Sequence, residues 1–567
     1  MKHLLFHSII ALLLMSSSLY GYEVSTEIQK KRVLLEEFTG IHCGFCPQGH
    51  AIGNRLIAAQ PENVYVIAIH AGSFAIPGSD EPDFRTEAGD IINTEFKVTG
   101  NPSGTVNRHA FSDGTNIITG RSDWAQNCKD IHNEDASVNL WISSEFEDSN
   151  RQLTVNIEGY YTADSEETEN YLNVAWTQSN IQGPQSGGGV GNEYIHKHML
   201  RGYITQDWGD VIQNTQKGQY FNRTYTYTLP KSINGVEVKA EDIEIIAFVC
   251  ESKTEVLNVI GTKPRYLNYE KPIGVTLKSP NMSIGTDYGF NFFEMILTNN
   301  SDKTIEEVDF KVTINEKEQQ VKWSGSLPGF IEMPIHIDVE PYEIKETNQY
   351  QIKVTAINGE SYENKNAILS GRFKAPTEIT SLINLTIKTD LYAEENSFTI
   401  KDQNGNTFKE FGPYPSNTQK EYQEEIKLDE NKIYCLEVTD SWADGIQQPR
   451  GNYKLYDDGN NLIIENKNIE SFGYRSFFRT SLPSGITSQL DKPISVQINQ
   501  KEKNITIQFT TNAPQIIEIY SITGKLVTCK STETDLMNLS VSTLPMGLYL
   551  LRIIENQEEA IYKFILE

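Results

Sequence analysis

The sequence has little cysteine, a deficit of basic residues and no long apolar run beyond its first residues. Six cysteines in 567 residues are far fewer than a disulfide-stapled secreted scaffold would use. The formal net charge of -27 argues against partners rich in phosphate, which excludes nucleic acid and anionic lipid surfaces as expected ligands. After residue 21 no segment is long and apolar enough to predict a transmembrane helix.

The first residues have the pattern of a secretory signal peptide. A basic start precedes an apolar stretch over residues 4–15, which is too short to span a bilayer, and a cleavage region follows at 16–21. We therefore predict a signal peptide over residues 1–21 and an exported mature chain.

The mature chain is too long for a single hydrophobic core, so several domains are expected. Residues 24–135 mix strand-like and helix-like patterns. The continuous apolar run at 64–69 predicts a central strand covered on both faces, and 86–97 has a helical composition. These patterns predict an α/β domain.

From residue 136 onward, short segments alternate with a period of two and are separated by clusters of turn residues, which predicts β-sandwiches. The predicted fold class is therefore multidomain, α/β followed by all-β. The expected domains are a β-sandwich at 136–265, an immunoglobulin-like sandwich at 266–374, a β-sandwich module at 375–485 and a small β domain at 486–567.

The strongest chemical motif is Cys43-Gly44-Phe45-Cys46-Pro47, which stands between an apolar strand-like run at 33–38 and a helix-like run at 51–57. A helix N-terminus directs free backbone N–H groups at the first sulfur, which stabilises the thiolate. The motif predicts thiol–disulfide exchange in which Cys43 attacks and Cys46 resolves the mixed disulfide.

Two further residues complete this predicted site. Glu37 stands six residues before Cys43 on the incoming strand and is the candidate carboxylate that accepts the proton of the resolving thiol. Pro102 falls in a loop between a helix and a strand, where a cis peptide bond would bring the backbone against the sulfurs and dock a substrate strand.

These residues match a family pattern. Segment 37–47 resembles the active-site segment of thioredoxins, in which an acidic residue stands six positions before the first cysteine of the Cys-x-x-Cys turn. Segment 96–103 resembles the thioredoxin stretch that carries the cis-proline. The resemblance covers about residues 30–125 and implies a thioredoxin-like domain. His42 and Asn101 depart from the family pattern at positions that touch substrate, and a charged His42 would lower the pKa of the neighbouring thiol.

Other interpretations of the cysteines stay open. The close pair is also consistent with a structural disulfide, or with a zinc site completed by histidines, for which the candidates are His42, His50, His70 and His109. The remaining cysteines are predicted to be buried thiols or to form at most one long-range bridge; they are Cys128, Cys250, Cys435 and Cys529.

Two weaker patterns suggest metal ligands. His196 and His198 would point to one face of a strand and could share a metal ion. Asp440 and Asp444 lie in a turn and could bind Ca²⁺ through oxygen ligands, although an Asx-rich turn explains the same residues. No other cofactor is expected beyond a redox-active disulfide.

Two resemblances bear on location. Segment 178–201, taken with Thr39-Gly40 and Asn107-Arg108, resembles the outer-membrane-protein-28-related family of Bacteroidetes, which joins a thioredoxin-like domain to a β domain. This resemblance implies an exported or outer-membrane protein and gives no established reaction.

The motif Pro545-x-Gly547-x-Tyr549 and the apolar alternation after it resemble the type A sorting domain of the type IX secretion system, over about residues 488–567. This resemblance implies export through that machinery, removal of the domain and attachment to surface lipopolysaccharide.

Together these features predict an exported protein of the cell surface or outer membrane that carries out thiol–disulfide exchange on extracytoplasmic protein thiols and disulfides. The alternative is a non-enzymatic surface adhesion or binding protein. In that case the β modules bind the partner and the cysteine pair is a structural disulfide.

Overall fold

The computed structural model describes residues 23–111, 116–279, 291–446, 451–465, 473–480, 495–499, 501–509, 515–521, 525–555 and 558–566. The predicted signal peptide lies outside them. The chain divides into two compact units, residues 1–269 and residues 270–567. Most of the described residues are in β-strands, and they contain three α-helices, all in the first unit.

The first unit opens with an α/β arrangement around two parallel strands. Its elements are β1 (Val33–Thr39), α1 (Cys46–Ala59), β2 (Val64–His70), α2 (Glu87–Glu95), β3 (Ser103–Val106), β4 (Thr119–Gly120) and α3 (Trp124–Asn133). β1 pairs in parallel with β2 and antiparallel with β3, and β4 lies antiparallel beside β3. The order β2-β1-β3-β4 places β1, which leads to the cysteines, inside the sheet.

The parallel strands form where the sequence has uninterrupted apolar runs. Every residue of β1 is buried, and so is every residue of β2 except the half-buried Tyr65, as expected for strands covered on both faces. α2 begins at its cap, where Thr86 Oγ1 accepts a hydrogen bond from the backbone N–H of Gly89 at 3.1 Å. The predicted central strand and the predicted helix are thereby confirmed.

The rest of the first unit is β-structure. Its strands are β5 (Val138–Glu147), β6 (Gln152–Tyr161), β7 (Glu169–Gln178), β8 (Ile181–Gly183), β9 (Tyr194–His196), β10 (Met199–Tyr203), β11 (Asp210–Gln213), β12 (Tyr220–Thr228), β13 (Ser232–Ile233), β14 (Val236–Glu237), β15 (Ile243–Cys250), β16 (Val256–Thr262) and β17 (Arg265–Leu267). A second sheet, β12-β6-β5-β17, packs its apolar side chains against those of β7 and β15.

One sheet runs through both parts of this unit. Met199 of β10 pairs in parallel with Ala68 of β2, so the strand order continues as β16-β15-β7-β10-β2-β1-β3-β4. The sequence predicted a domain boundary near residue 135, but strands from both sides of that position share this sheet. The long-range pairing of β10 with β2 is the reason, and local sequence patterns do not encode it.

A buried ion pair ties β1 to the loop between β15 and β16. Arg108 donates from Nε and Nη2 to the two carboxylate oxygens of Glu36, at 2.8 and 2.6 Å, and neither side chain is exposed. Thr105 Oγ1 donates to the same carboxylate, and the carbonyl of Lys253 accepts from Arg108 Nη1 at 3.1 Å. The guanidinium also lies 5.0 Å from the ring centre of Phe248.

The second unit contains three sandwich-like modules. The first consists of β18 (Val275–Lys278), β19 (Phe292–Asn299), β20 (Ile305–Ile314), β21 (Lys317–Leu327), β22 (Glu332–Asp338), β23 (Thr347–Ile357), β24 (Glu360–Ser361) and β25 (Ile368–Lys374). Sheet β18-β19-β22 faces sheet β21-β20-β23-β24, with β25 added beside β23. Alternate buried residues of these strands form one apolar core.

The second module has the sheets β26-β34-β31-β28-β29 and β30-β27-β32-β33 around a core of its own. Its strands are β26 (Thr377–Ile379), β27 (Leu382–Lys388), β28 (Asn396–Asp402), β29 (Thr407–Phe411), β30 (Glu421–Lys427), β31 (Ile433–Asp440), β32 (Asn452–Asp457), β33 (Leu462–Glu465) and β34 (Gly473–Thr480).

The third module has the sheets β35-β36-β39 and β38-β37-β40-β41, again around one core. Its strands are β35 (Ser495–Asn499), β36 (Asn504–Gln508), β37 (Gln515–Ser521), β38 (Leu526–Thr532), β39 (Leu536–Ser540), β40 (Gly547–Glu555) and β41 (Glu558–Leu566). The prediction of several β-sandwich modules is thereby confirmed.

We expect the substitution Glu36→Ala to lower the unfolding free energy of the first unit by about 3–5 kcal/mol, because it leaves the Arg108 guanidinium buried without its counter-charge. Native-state amide hydrogen exchange of peptides from β1 and β3 would measure this loss in the first unit alone. The matched control is Asp135→Ala, which removes an exposed 2.8 Å pair with Lys30. It should cost no more than about 1 kcal/mol. Equal effects of the two substitutions would contradict the prediction.

Candidate functional site

The cysteine pair lies where the chain leaves β1 and enters α1. The helix starts at Cys46, with Phe45 as its N-cap residue and Pro47 in its first turn. The side chains of Cys43 and Cys46 lie next to each other as free thiols. The attacking role requires a sulfur that a substrate can reach, but Cys43 is only 3 % exposed, and Cys46 is fully buried.

A glycine-rich segment between β8 and β9, residues 185–191, covers the first cysteine. We call it the cover segment. Its Gln185 side chain donates from Nε2 to the carbonyl oxygens of Gly40 and Cys43, at 3.1 and 3.0 Å. The backbone N–H of Ser186 donates to the carbonyl of Ile41 at 2.8 Å. These bonds attach the segment to the turn that holds the attacking thiol.

The cover segment approaches the turn backbone to backbone. Gly187 has a φ of 76°, and a Cβ built there would stand 2.1 Å from the carbonyl oxygen of Gly44. Only glycine fits this position, because the backbone is in the left-handed region and because any side chain would overlap the turn. The cover segment therefore shields Cys43 by main-chain contact, which explains its burial.

Three side chains form a chain of hydrogen bonds beside the resolving thiol. Thr39 lies next to the Cys46 thiol, its Oγ1 lies 2.9 Å from His50 Nε2, and His50 Nδ1 lies 2.8 Å from the hydroxyl of Tyr194. Burial raises the pKa of the Cys46 thiol. Burial, together with the neighbouring histidines, lowers the pKa of His50 to about 3. The chain therefore consists of uncharged groups.

The sequence interpretation missed three members of this chain. Two had a local signal: Thr39 stands two residues after Glu37 and so on the same face of β1, and His50 stands four residues after Cys46 on α1. Tyr194 had none, because it is 144 residues from its partner His50 in the sequence.

Glu37 is buried beneath α1, 1 % exposed. The helix has room for it because positions 49 and 53 are glycines. A Cβ built on Gly49 would stand 2.4 Å from Glu37 Oε1, and one on Gly53 would stand 3.8 Å from Oε2. Burial raises the pKa of the carboxyl well above its usual value. Its Oε1 lies 3.8 Å from His50 Nε2, beyond hydrogen-bond distance.

Two other predicted residues border the site. The Asn101–Pro102 peptide bond is cis, and the Pro102 ring lies against α1 at Gly49, 3.1 Å from where a Cβ would be. His42, considered above as a cation near the attacking thiol, instead places its Nε2 3.0 Å from Glu81 Oε2.

The histidine pair lies differently from the predicted arrangement. β9 ends at His196, and His198 has a φ of 54°, so the two are not alternate residues of one strand. Both nevertheless line one small cavity beside Glu37. Burial lowers the pKa of each imidazole to about 4.

The predicted calcium ligands lie at the end of β31. Asp440 accepts hydrogen bonds from the backbone N–H groups of Trp442, Ala443 and Gly445 at 2.6–3.0 Å, which is the Asx-rich turn of the alternative interpretation. Carboxylate oxygens of Asp440, Asp444 and Glu395 also lie within 4.8 Å of one another. Calcium binding stays a prediction, now with Glu395 as a third candidate ligand.

All six cysteines are free thiols in the described residues. Five of them are buried, and Cys529 on β38 is exposed. The long-range bridge that the sequence left open is therefore not formed.

Family comparisons support the two resemblances that bear on location. The family described as outer membrane protein Omp28 matches residues 90–266. The predicted resemblance to the Omp28-related family is thereby confirmed over these residues. The family described as a secretion system C-terminal sorting domain matches residues 499–567, which implies handling by the secretion machinery. Export to the cell surface or the medium is likewise confirmed. The Omp28 match begins after the cysteine motif.

Three solved structures show low similarity to the chain. HBP35 of Porphyromonas gingivalis is 18% identical with a TM-score of 0.32, over 61% of this chain and 99% of that chain. A domain of the outer membrane lipoprotein Omp28 from Porphyromonas gingivalis is 21% identical with a TM-score of 0.18, over 24% and 92%. The FN1–FN3 domains of chicken CNTN1 are 10% identical with a TM-score of 0.13, over 52% and 99%.

The similarity to these structures is too low to transfer any of their properties. No curated protein matches the chain. Among the described residues, no helix is both long and apolar enough to cross a membrane.

We expect the substitution Gly49→Ala to lower the unfolding free energy by about 1–3 kcal/mol, because the new methyl group would overlap Glu37 Oε1 in a packed interior. The matched control is Gly44→Ala, where a Cβ meets nothing within 4 Å, and the change should stay within about 0.5 kcal/mol. Urea denaturation of both variants would measure the difference. An unchanged unfolding free energy in Gly49→Ala would show that α1 does not confine Glu37 as described.

The buried histidines predict an acid-sensitive first unit. His50, with a pKa of about 3, and His196 and His198, with values of about 4, stay neutral while the unfolded chain takes up protons below about pH 6.5. Each histidine should therefore remove up to about 1.4 kcal/mol of stability per pH unit as the pH falls from 6.5 towards 4. Glu37 has the opposite effect on stability, which is limited to the contribution of one proton. Because its pKa is raised in the folded state, Glu37 lowers the unfolding free energy as the pH rises above 4.5.

Calorimetric melting between pH 7 and pH 4 would measure this dependence. His50→Gln should flatten it by about one proton's contribution, whereas His336→Gln, at a partly exposed site in the second unit, should leave it unchanged. A pH-independent transition of the first unit would refute the prediction.

Proposed function

We propose that residues 24–135 form a thioredoxin-like redox domain and that the exported protein exchanges disulfides with protein thiols outside the cytoplasm. The observation that carries this proposal is the close pair of free thiols, Cys43 and Cys46, at the N-terminal end of α1. The strand order β2-β1-β3-β4 and the helix positions around it are consistent with such a domain.

The proposed reaction starts at the attacking thiolate. The sulfur of Cys43 attacks one sulfur of a substrate disulfide, and the other substrate sulfur leaves as a thiolate that takes up a proton. The thiolate of Cys46 then attacks the Cys43 sulfur and releases the second substrate thiol. Two electrons have moved to the substrate, and the protein holds a Cys43–Cys46 disulfide. The reverse sequence oxidises a substrate dithiol.

The second step requires Cys46 to lose its proton inside the protein, where burial raises the pKa of the thiol. Glu37 is the proposed acceptor. The hydroxyl of Thr39 offers a second route, because it lies next to the thiol and hydrogen-bonds to His50, which in turn contacts Tyr194. Glu37 takes up the proton in its carboxylate form, and the raised pKa of that carboxyl favours the transfer. The hydroxyls and the neutral His50 can relay a proton without first giving up an ion pair.

The cover segment controls access in this proposal. Since Cys43 is only 3 % exposed, a substrate disulfide reaches its sulfur only when residues 185–191 move away. Three glycines with positive φ in this segment, at positions 187, 189 and 191, permit such a movement. Removal of the sorting domain and attachment to lipopolysaccharide are part of the proposal only through the family resemblance.

A non-enzymatic surface binding protein is the second candidate, and the burial of Cys43 favours it. In that case the thiol pair oxidises once to a structural disulfide, and the sandwich modules of the second unit bind the partner. The reduction potential separates the two candidates. A reversible transition at about -120 to -270 mV in glutathione buffers supports exchange, whereas a couple below about -300 mV indicates a structural disulfide.

Loosening the cover segment should expose the attacking thiol. We expect Gln185→Ala to raise the alkylation rate of Cys43 in the reduced protein by up to about thirtyfold, because two buried hydrogen bonds worth about 1 kcal/mol each are lost. Gln182→Ala, at an exposed position of β8, is the matched control and should change nothing.

Mass spectrometry after timed alkylation would resolve each cysteine, with the exposed Cys529 as an internal reference for reagent activity. An unchanged rate at Cys43 in Gln185→Ala would show that the cover segment does not limit access.

A further inference from the structure

Four of the ten histidines in the chain line one cavity of about 20 Å³ behind the cysteine pair. We call it the histidine cavity; its polar walls are Glu37, His50, His70, Tyr194, His196 and His198. The face of β1 and β2 that lies under α1 forms one side, and the segment around β9 closes the other. A cavity of this volume holds about one water molecule or a smaller ion.

Several polar atoms around this cavity have no hydrogen-bond partner within the described protein. They are Glu37 Oε1, both ring nitrogens of His70 and Nδ1 of His196. The three side chains are 1–3 % exposed, so bulk water does not satisfy these atoms. Buried polar atoms without partners are rare in folded proteins, and several around one cavity indicate a bound ligand.

His196 is oriented as a metal ligand would be. Its Nε2 lies 3.2 Å from the carbonyl oxygen of Pro184. A carbonyl only accepts, so Nε2 carries the proton and Nδ1 keeps its lone pair. A backbone carbonyl that fixes the tautomer in this way is the usual outer-shell partner of a metal-bound histidine. His50 differs, because hydrogen bonds to Thr39 and Tyr194 occupy both of its nitrogens.

We propose that the histidine cavity binds a divalent transition-metal ion through Glu37 Oε1, a ring nitrogen of His70 and Nδ1 of His196. Two imidazoles and one carboxylate suit Zn²⁺ and leave a fourth position for a water molecule. No cysteine is among its ligands, but Glu37 is also the proton acceptor of the proposed thiol exchange, so the two proposals share this carboxylate.

The three ligand atoms are not yet at coordination distance from one another. The carboxylate oxygens of Glu395, Asp440 and Asp444 all lie within 4.8 Å of one another, whereas Glu37, His70 and His196 do not form such a group. The proposed site therefore requires side-chain rotation on binding, and the carboxyl of Glu37 gives up its proton to the solvent.

Calorimetric titration of the exported full-length chain with Zn²⁺ tests the site. We expect one tight site whose affinity falls at least about tenfold in His70→Gln and in His196→Gln, since even outer-shell changes cost that much. His336→Gln, at a partly exposed histidine of the second unit, should bind as the wild type does. The double variant Cys43→Ser/Cys46→Ser should also bind normally, which separates this proposal from thiol exchange.

Cobalt(II) provides a readout that does not depend on the variants folding. The wild-type complex should show the visible bands of a nitrogen- and oxygen-ligated ion without a thiolate charge-transfer band. The proposal is overturned if the wild type binds no Zn²⁺, if a thiolate band appears, or if folded His70→Gln and His196→Gln bind undiminished. Loss of binding in the double cysteine variant would also overturn it.

Discussion

The pairing of β10 with β2 is the constraint on which the candidate site depends. Ala68 donates its backbone N–H to the carbonyl of His198 at 2.8 Å, and Met199 lies opposite Ala68 in the sheet. This short parallel contact determines where the chain from β8 to β10 crosses the end of α1. The cover segment, Tyr194 and His196 all belong to that crossing. Without the pairing, the cysteine turn would keep its helix and its buried carboxylate but would lose its cover and half of its polar neighbours.

Uncharged polar groups in a dry interior distinguish this site from the surfaces around it. Elsewhere in the unit, the buried charges of Glu36 and Arg108 are paired with each other. Beside the cysteines, burial raises the pKa of the Glu37 carboxyl and lowers the pKa of His50 and His70, and both shifts favour the uncharged forms. Such groups can exchange protons without first displacing a counter-ion. The same burial makes protonation of the imidazoles in acid unfavourable. One cause therefore explains both the proposed proton exchange and the acid sensitivity of the region.

The elements that depend on interactions between neighbouring residues could be predicted from the sequence. They are β1 and β2 with their apolar runs, the capped helix α2, the Cys-x-x-Cys turn before α1 and the alternating strands of the sandwiches. The burial of Cys43 could not, because its cover comes from residues more than 140 positions away. For the same reason His50 and His70 had appeared only as generic zinc candidates, and the boundary near residue 135 was placed inside a continuous sheet. Glu395 lies 45 residues before Asp440, beyond the reach of a turn motif.

The positions of the cysteines determine whether copies of this protein can form disulfides with one another. Among six thiols, only that of Cys529 is exposed, and it lies inside the part that matches the sorting domain. Two molecules that carry that part can become covalently joined by oxidation at this residue. The other five thiols are enclosed, so a chain without that part would have no exposed thiol through which to form such a link.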